Sequence, residues 1–105
     1  MEQEQVIARI KEMADKILPP SATLWLYGSR ARGNARPDSD YDLLILLDKD
    51  TITREDHYKY SYPLFYWGTD IGEEINTHIY TKNDWQRWKY APFNENVEED
   101  KIVLR

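Results

Sequence analysis

The sequence contains no cysteine among its 105 residues. This excludes a disulfide framework and thiol chemistry, and it is typical of a protein in a reducing compartment. Long apolar runs are also missing, since LLILL is far shorter than the roughly 20 residues that cross a membrane. The charged, amphipathic start, MEQEQVIARIKEM, is unlike a signal peptide. These absences predict a cytoplasmic protein with no membrane partner.

The chain also lacks an excess of basic residues. Its 19 acidic residues outnumber 14 basic ones, which gives a formal net charge of −5. Surfaces that bind long nucleic acids are normally basic, so no long DNA or RNA partner is expected, although one small nucleotide could bind at a locally basic place. The length favours a single domain over residues 1–105, and no repeat or linker interrupts it.

Hydrophobic periodicity predicts helices that alternate with short strands. Residues 3–18 carry apolar side chains at helical spacing, and two prolines follow them. The predicted strands cover TLWLYG, DYDLLILLD, EEINTHIYT and a short tail segment at 101–104. Further helices are predicted at 30–33 with Ser29 as the N-cap, from a Thr53 cap to about 69 with a bend at Pro63, and at 83–91. The continuous apolar stretch 43–47 is typical of a central strand covered on both faces, so the fold class is α/β.

Aromatic residues are concentrated in YKYSYPLFYW, residues 58–67. A helix here would pack Leu64, Phe65 and Trp67 on the sheet and leave four tyrosines for a partner surface. Trp85 and Trp88, three residues apart on a short helix, are predicted to cover the core. The two histidines, at positions 57 and 78, have no second ligand at metal-binding spacing and are predicted to be ordinary surface or core residues.

The candidate chemistry lies in GSRARGNARPDSDYD, residues 28–42. Asp40 and Asp42 are separated by one residue at the start of a strand, so both carboxylates point to one face. Two like charges side by side are unfavourable without a cation, and Mg²⁺ or Mn²⁺ is the usual one. Upstream, a strand ends at Gly28 and a helix begins with Ser29, where backbone N–H groups and a hydroxyl could hold a phosphate.

Three arginines in this segment, Arg30, Arg32 and Arg36, could neutralise further phosphate oxygens. Two other motifs do not fit. A Walker-type loop would need Lys and Ser or Thr after Gly33, and an EF-hand started at Asp38 would need Gly and Glu where Leu and Lys stand. A phosphate cradle at one strand end beside paired carboxylates on the next strand is the apparatus of nucleotidyl transfer.

These residues closely resemble the signature of the minimal nucleotidyltransferases in the DNA polymerase β superfamily, GS-x-A-R-G-x-A-x-x-x-S-D-x-D-L. The signature is met at Gly28, Ser29, Ala31, Arg32, Gly33, Ala35, Ser39, Asp40, Asp42 and Leu43. The resemblance implies a polymerase β-like α+β fold, a small mixed sheet flanked by helices, with ATP as substrate and Mg²⁺ as cofactor. The predicted nucleotide-binding residues are Gly28, Ser29, Arg30, Arg32 and Ser39.

The resemblance also implies a third carboxylate on the next strand, as metal ligand and general base. That position falls near Asn76, and a neutral amide cannot accept a proton as a carboxylate can. Glu74 lies two residues earlier on the same predicted face. It is therefore predicted to be the third catalytic and metal-binding acid beside Asp40 and Asp42, with Asp70 as the weaker alternative.

The tail APFNENVEEDKIVL resembles a bacterial subgroup of these proteins, many of which are similar to antitoxins encoded beside a helical HEPN partner. A domain this small has little room for both ATP and an acceptor, so the acceptor is predicted to be a partner protein, in a complex or homo-oligomer. The leading hypothesis is transfer of AMP from ATP to a protein hydroxyl. The alternatives are a non-catalytic antitoxin that neutralises a HEPN toxin by binding, and nucleotidyl transfer to a small molecule.

Overall fold

A four-stranded mixed sheet forms the centre of the computed structural model, which describes residues 1–105. Its strands are β1 (Thr23–Tyr27), β2 (Tyr41–Leu47), β3 (Ile75–Thr81) and β4 (Ile102–Val103). Their order across the sheet is β3-β2-β1-β4. β1 is antiparallel to both β2 and β4, whereas β2 and β3 are parallel. The sheet and its flanking helices confirm the predicted fold class.

The helices flank this sheet. They are α1 (Gln3–Ile17), α2 (Ser29–Arg32), α3 (Arg54–Asp56), a π-helical turn (His57–Ser61), α4 (Tyr62–Asp70), α5 (Lys82–Arg87) and α6 (Pro92–Asp100). α1 buries Val6, Ile10 and Ala14, which lie four residues apart along one helix face. None of these helices combines the length and the apolarity that crossing a membrane requires.

Each face of the sheet carries its own apolar core. The larger core joins α1, Leu64 of α4 and alternate strand residues such as Leu24, Leu43 and Ile45. The smaller core lies on the opposite face and consists of Trp25, Leu44, Leu46, Trp85 and Val97. β2 is therefore covered on both faces along 43–47, as predicted. The smaller core covers only part of its face, and the candidate site lies on the uncovered part.

The aromatic segment is not one regular helix, and its interruption lies just before Pro63, where the sequence predicts a bend. Thr53 caps it as expected, because its hydroxyl accepts a hydrogen bond from the Asp56 N–H. The π-helical turn then comes before Pro63, whose ring lacks the N–H that a regular helix requires. In α4, Leu64 and Gly68 face the sheet, and Phe65 therefore lies on the outer side with 42% of its surface exposed. The prediction that Phe65 packs on the sheet is wrong.

Two shorter helices begin elsewhere than predicted. Gly28 is the N-cap of α2, so Ser29 is its first residue rather than its cap. Thr81 caps α5 by accepting a hydrogen bond from the backbone N–H of Asp84. Because α5 ends at residue 87, Trp85 is buried while Trp88 lies beyond the helix and is 62% exposed. Only the first of these tryptophans covers the core.

Candidate active site

The predicted acidic residues and Gly28 come together at one edge of the sheet, where β1 ends and β2 and β3 begin. The parallel register places Asp42 beside Asn76. The Tyr41 N–H donates to the Glu74 carbonyl over 2.9 Å, and this extends the pairing by one step, so that Asp40 lies beside Glu74. Asp40 and Asp42 of one strand and Glu74 and Asn76 of the other therefore point to the sheet face that the larger core leaves free.

Gly28 lies directly against the Asp42 side chain. Its backbone angles, φ 75° and ψ −159°, belong to a region that is almost exclusive to glycine. A Cβ at this position would lie 2.5 Å from the Asp42 Oδ2 atom. Glycine is therefore required twice, for its backbone conformation and for the close approach of the carboxylate. This contact brings the first turn of α2 to the paired carboxylates.

Ser29 and Arg32 are the first and last residues of α2. The Ser29 hydroxyl does not cap α2, since the N-cap is Gly28 and makes no side-chain cap hydrogen bond. Arg32 is exposed and forms an ion pair of 2.6 Å with the Asp100 carboxylate of α6. Burial and the Asp40 charge raise the pKa of Asp42, and the Arg32 charge opposes this rise without cancelling it. Ser29 and Arg32 thus both lie in the short helix that begins after Gly28, and their role in phosphate binding stays a prediction.

Arg30 is not brought to this site, which corrects the sequence prediction. Its buried guanidinium donates to the Ser39 carbonyl at 2.9 Å and to the Pro37 carbonyl at 3.3 Å, and it lies 4.4 Å from the ring centre of Tyr41. The Ser39 hydroxyl accepts a hydrogen bond from the Arg36 N–H over 2.8 Å. Arg30 and Ser39 therefore stabilise the loop that precedes β2.

The negative charges at the site are crowded. The Asn76 amide donates to Asp40 Oδ2 over 3.1 Å. The charge of Asp40 and a hydrogen bond to it raise the pKa of Glu74, with a smaller contribution from Asp42. Burial, followed by the Asp40 charge, raises the pKa of Asp42. Asp70, the last residue of α4, takes no part in these contacts.

A divalent cation would relieve this crowding. No three His, Cys, Asp or Glu side chains are arranged to hold a metal by themselves. Mg²⁺ is usually bound by one or two carboxylates together with substrate phosphates and water, rather than by a cage made wholly of protein ligands. Asp40 and Asp42, which lie beside the first turn of α2, fit a cation of this kind that binds together with a nucleotide.

Aromatic residues form the rim of the site, and no sequence pattern indicated this role for Tyr27 or Phe93. Tyr27 pairs with Asp42 across the sheet, and burial, then the charge of Asp42, raises the pKa of Tyr27 to about 12. Its ring lies 5.8 Å from Phe93 and 6.4 Å from His78. His78 follows Asn76 by two residues on the same strand, and it lies on the face that the strand alternation predicts for it, together with Glu74.

Comparison with known proteins agrees with the fold and identifies the family. The family model described as nucleotidyltransferase domain matches residues 7–104. The chain therefore belongs to the nucleotidyltransferase domain family. This confirms the resemblance on which the sequence prediction rested. No curated protein sequence matches the chain.

Solved structures with the same fold include toxin–antitoxin proteins. A toxin–antitoxin structure with AMP-PNP aligns at a TM-score of 0.61 and 15% identity, over 100% of this chain and 73% of that one. A candidate nucleotidyltransferase from Sulfolobus solfataricus aligns at 0.61 and 21% identity, over 96% and 80%. A tri-AMPylated HEPN toxin of Shewanella oneidensis in complex with its MNT antitoxin aligns at 0.59 and 13% identity, over 99% and 72%. At these identities the likeness is one of fold.

Proposed function

We propose that this chain transfers AMP from ATP to a hydroxyl group of a partner protein, with Mg²⁺ or Mn²⁺ as the cofactor and a HEPN-like protein as the partner. The contact between Gly28 and Asp42 carries the proposal, because it joins a phosphate-binding turn to the paired carboxylates. Structural neighbours with AMP-PNP and with an AMPylated HEPN toxin support the choice of nucleotide and partner. The reaction would take place in the cytoplasm, where ATP is available.

Each group at the site has a role in this reaction. Ser29 and the first N–H groups of α2 would hold the β- and γ-phosphates, and Arg32 would balance their charge. Asp40 and Asp42 would hold the metal ion, which supplies charge stabilisation at the phosphoryl oxygens when bound. The acceptor oxygen bonds to the α-phosphorus while the bond to the bridging oxygen breaks and pyrophosphate leaves. Glu74 would take the proton of the acceptor hydroxyl.

A double substitution, Asp40→Asn with Asp42→Asn, tests the proposal. The partner, purified together with the chain, is incubated with Mg²⁺ and α-³²P-ATP, and transfer is measured as protein-bound label. We expect the double variant to lose about 10²-fold or more of the transfer rate, because transition-state charge is no longer balanced. Asp38→Asn is the matched control, since Asp38 is exposed on the same loop. Undiminished labelling by the double variant would overturn the mechanism.

A second candidate function is neutralisation of the partner by binding alone. One observation favours it. Asn76 lies beside Asp42, at the position where the resemblance implies a third carboxylate, and its side-chain amide donates a hydrogen bond to the Asp40 carboxylate. Co-expression with a toxic partner separates the two functions. If the double Asn variant protects cells as well as the original chain does, neutralisation proceeds by binding. If protection is lost while the complex still forms, neutralisation requires transfer.

A further inference from the structure

We propose that Asp100, the last residue of α6, is a positioning residue for nucleotide binding, which holds the Arg32 guanidinium in place so that the nucleotide meets an arginine that is already ordered. This inference rests on the proposed function, in which Arg32 balances the charge of the nucleotide phosphates. Arg32 Nη1 donates to Asp100 Oδ2 over 2.6 Å, across 68 positions of the sequence. The nucleotidyltransferase signature at residues 28–43 includes Arg32 but not Asp100.

α6 is a rigid support for the Asp100 carboxylate. Val97 is almost fully buried in the smaller core, and the buried Asn94 side chain donates to the Trp85 carbonyl over 3.1 Å. Phe93, Val97 and Asp100 follow one another at intervals of four and three residues, so they share one face of the helix. That face brings Phe93 to the rim of the site and Asp100 to α2. The packing of α6 therefore fixes the carboxylate, and only 17% of the Asp100 side chain is exposed.

Helix stability does not explain an acid at the end of α6. The C-terminal end of a helix carries partial negative charge, which favours cations there and disfavours carboxylates. The last three residues of α6 are nevertheless Glu98, Glu99 and Asp100, and its last turn contains no basic residue. Glu98 is paired with the nearby Lys101. Asp100 is paired with Arg32 of another helix, so this contact gives the acid a role that the helix itself does not.

The geometry of the pair favours positioning of Arg32 over blocking of it. A guanidinium carries five N–H donors, and Asp100 accepts a hydrogen bond from Nη1 alone. The other N–H groups therefore remain for phosphate oxygens, and 47% of the Arg32 side chain is exposed. The Arg32 charge acts on Asp42, so the guanidinium lies within electrostatic reach of the paired carboxylates. An arginine without an anchor would have to be ordered when phosphate binds, at a cost in affinity.

The test compares the affinities of variants for AMP-PNP and for AMP, measured by calorimetry in the presence of Mg²⁺. We expect Asp100→Ala to bind AMP-PNP about 2- to 10-fold more weakly, the range expected when one long side chain has to be ordered on binding. AMP lacks the β- and γ-phosphates, so it should bind equally well to Asp100→Ala and to the original chain.

Glu99→Ala is the matched control, because it removes the same charge from the neighbouring, exposed position. Loss of a negative charge by itself would strengthen the binding of AMP-PNP in both variants. Weaker binding by Asp100→Ala alone therefore has the opposite sign to the effect of charge, and it identifies the loss of the anchor. Asp100→Asn keeps the size of the side chain and replaces Asp100→Ala if circular dichroism shows that the alanine variant does not fold.

A double-mutant cycle shows whether Asp100 acts through Arg32. In an Arg32→Gln background, Asp100→Ala should leave the affinity for AMP-PNP unchanged. The inference would be overturned by a further loss of affinity in that background, by an equal loss of affinity for AMP, or by unchanged or tighter binding of AMP-PNP to Asp100→Ala. Failure of the proposed function has a different signature, since the original chain itself would then bind no AMP-PNP in the presence of Mg²⁺.

Discussion

Substitution of Gly28 by alanine should damage stability and nucleotide binding through two separate effects. The first effect is backbone strain. A side chain at φ 75° and ψ −159° costs about 1–3 kcal/mol, because this region is nearly closed to residues with a Cβ. For a domain of this size, 1 kcal/mol lowers the melting temperature by about 4–8 °C. We therefore expect Gly28→Ala to melt about 5–20 °C below the original chain in a circular dichroism thermal scan.

The second effect is steric and acts on the site. The new Cβ would lie 2.5 Å from Asp42 Oδ2, which is the far end of a side chain that can rotate. The clash is therefore relieved by movement of the Asp42 carboxylate, at little further cost in stability but away from its position beside α2. Misplacement of a catalytic group by about 1 Å can cost about 10² in rate. We expect binding of AMP-PNP with Mg²⁺, measured by calorimetry, to weaken at least tenfold.

Gly33→Ala is the matched control. Gly33 has φ 82° and ψ 15°, and no atom lies within 4 Å of the position that a Cβ would take. This variant should lose about 1–2 kcal/mol through left-handed backbone strain alone and should still bind nucleotide. The reasoning would be refuted if Gly28→Ala bound AMP-PNP with the affinity of the original chain, or if Gly33→Ala lost binding to the same extent.

Three further predictions concern single side chains. Burial alone would raise the pKa of Asp56, but hydrogen bonds from Lys49 and Thr53 outweigh it and hold this pKa below its usual value. Asp56→Asn should therefore be about 1–2 kcal/mol less stable in urea near neutral pH, a difference that is lost as the pH falls through the lowered folded pKa and the folded carboxyl is protonated. Thr77→Val should raise the melting temperature, because the buried Thr77 hydroxyl has no hydrogen-bond partner. Asn76→Asp should melt lower without metal and gain more from added Mg²⁺ than the original chain does, and equal responses to Mg²⁺ would contradict the proposed metal site.

Local patterns were sufficient to predict the elements that build the site. The strand period placed both aspartates on one face, and the apolar stretch of β2 required cover on both sides. The glycine that ends β1 is a local feature as well, because its backbone conformation depends on its own residue type. Each of these features is determined by residues that are close together in the sequence, so each could be predicted from the sequence alone.

Features that depend on contacts between residues far apart in the sequence could not be predicted from local sequence patterns. Arg30 looks like a phosphate ligand within its motif, yet its guanidinium contacts Gln3 and the ring of Tyr41. The exposure of Phe65 follows from the face that α4 turns toward the sheet, and this depends on the preceding π-helical turn. Asn76 could be recognised as the wrong residue type for a third acid. Its hydrogen bond to Asp40 could not be predicted, because it joins residues 36 positions apart.

The mixed sheet has a consequence for the order in which this site is assembled during folding. β1 and β2 pair antiparallel across the short connection that contains α2, so Gly28 meets Asp42 after a small loop closes. β3 can pair with β2 only after the chain has crossed back through α3, the π-helical turn and α4. Contacts between residues so far apart in the sequence form more slowly. Gly28 and the two aspartates can therefore come together as one early unit. The part of the site that contains Glu74 and Asn76 is completed later, when the edge strand β3 pairs with β2.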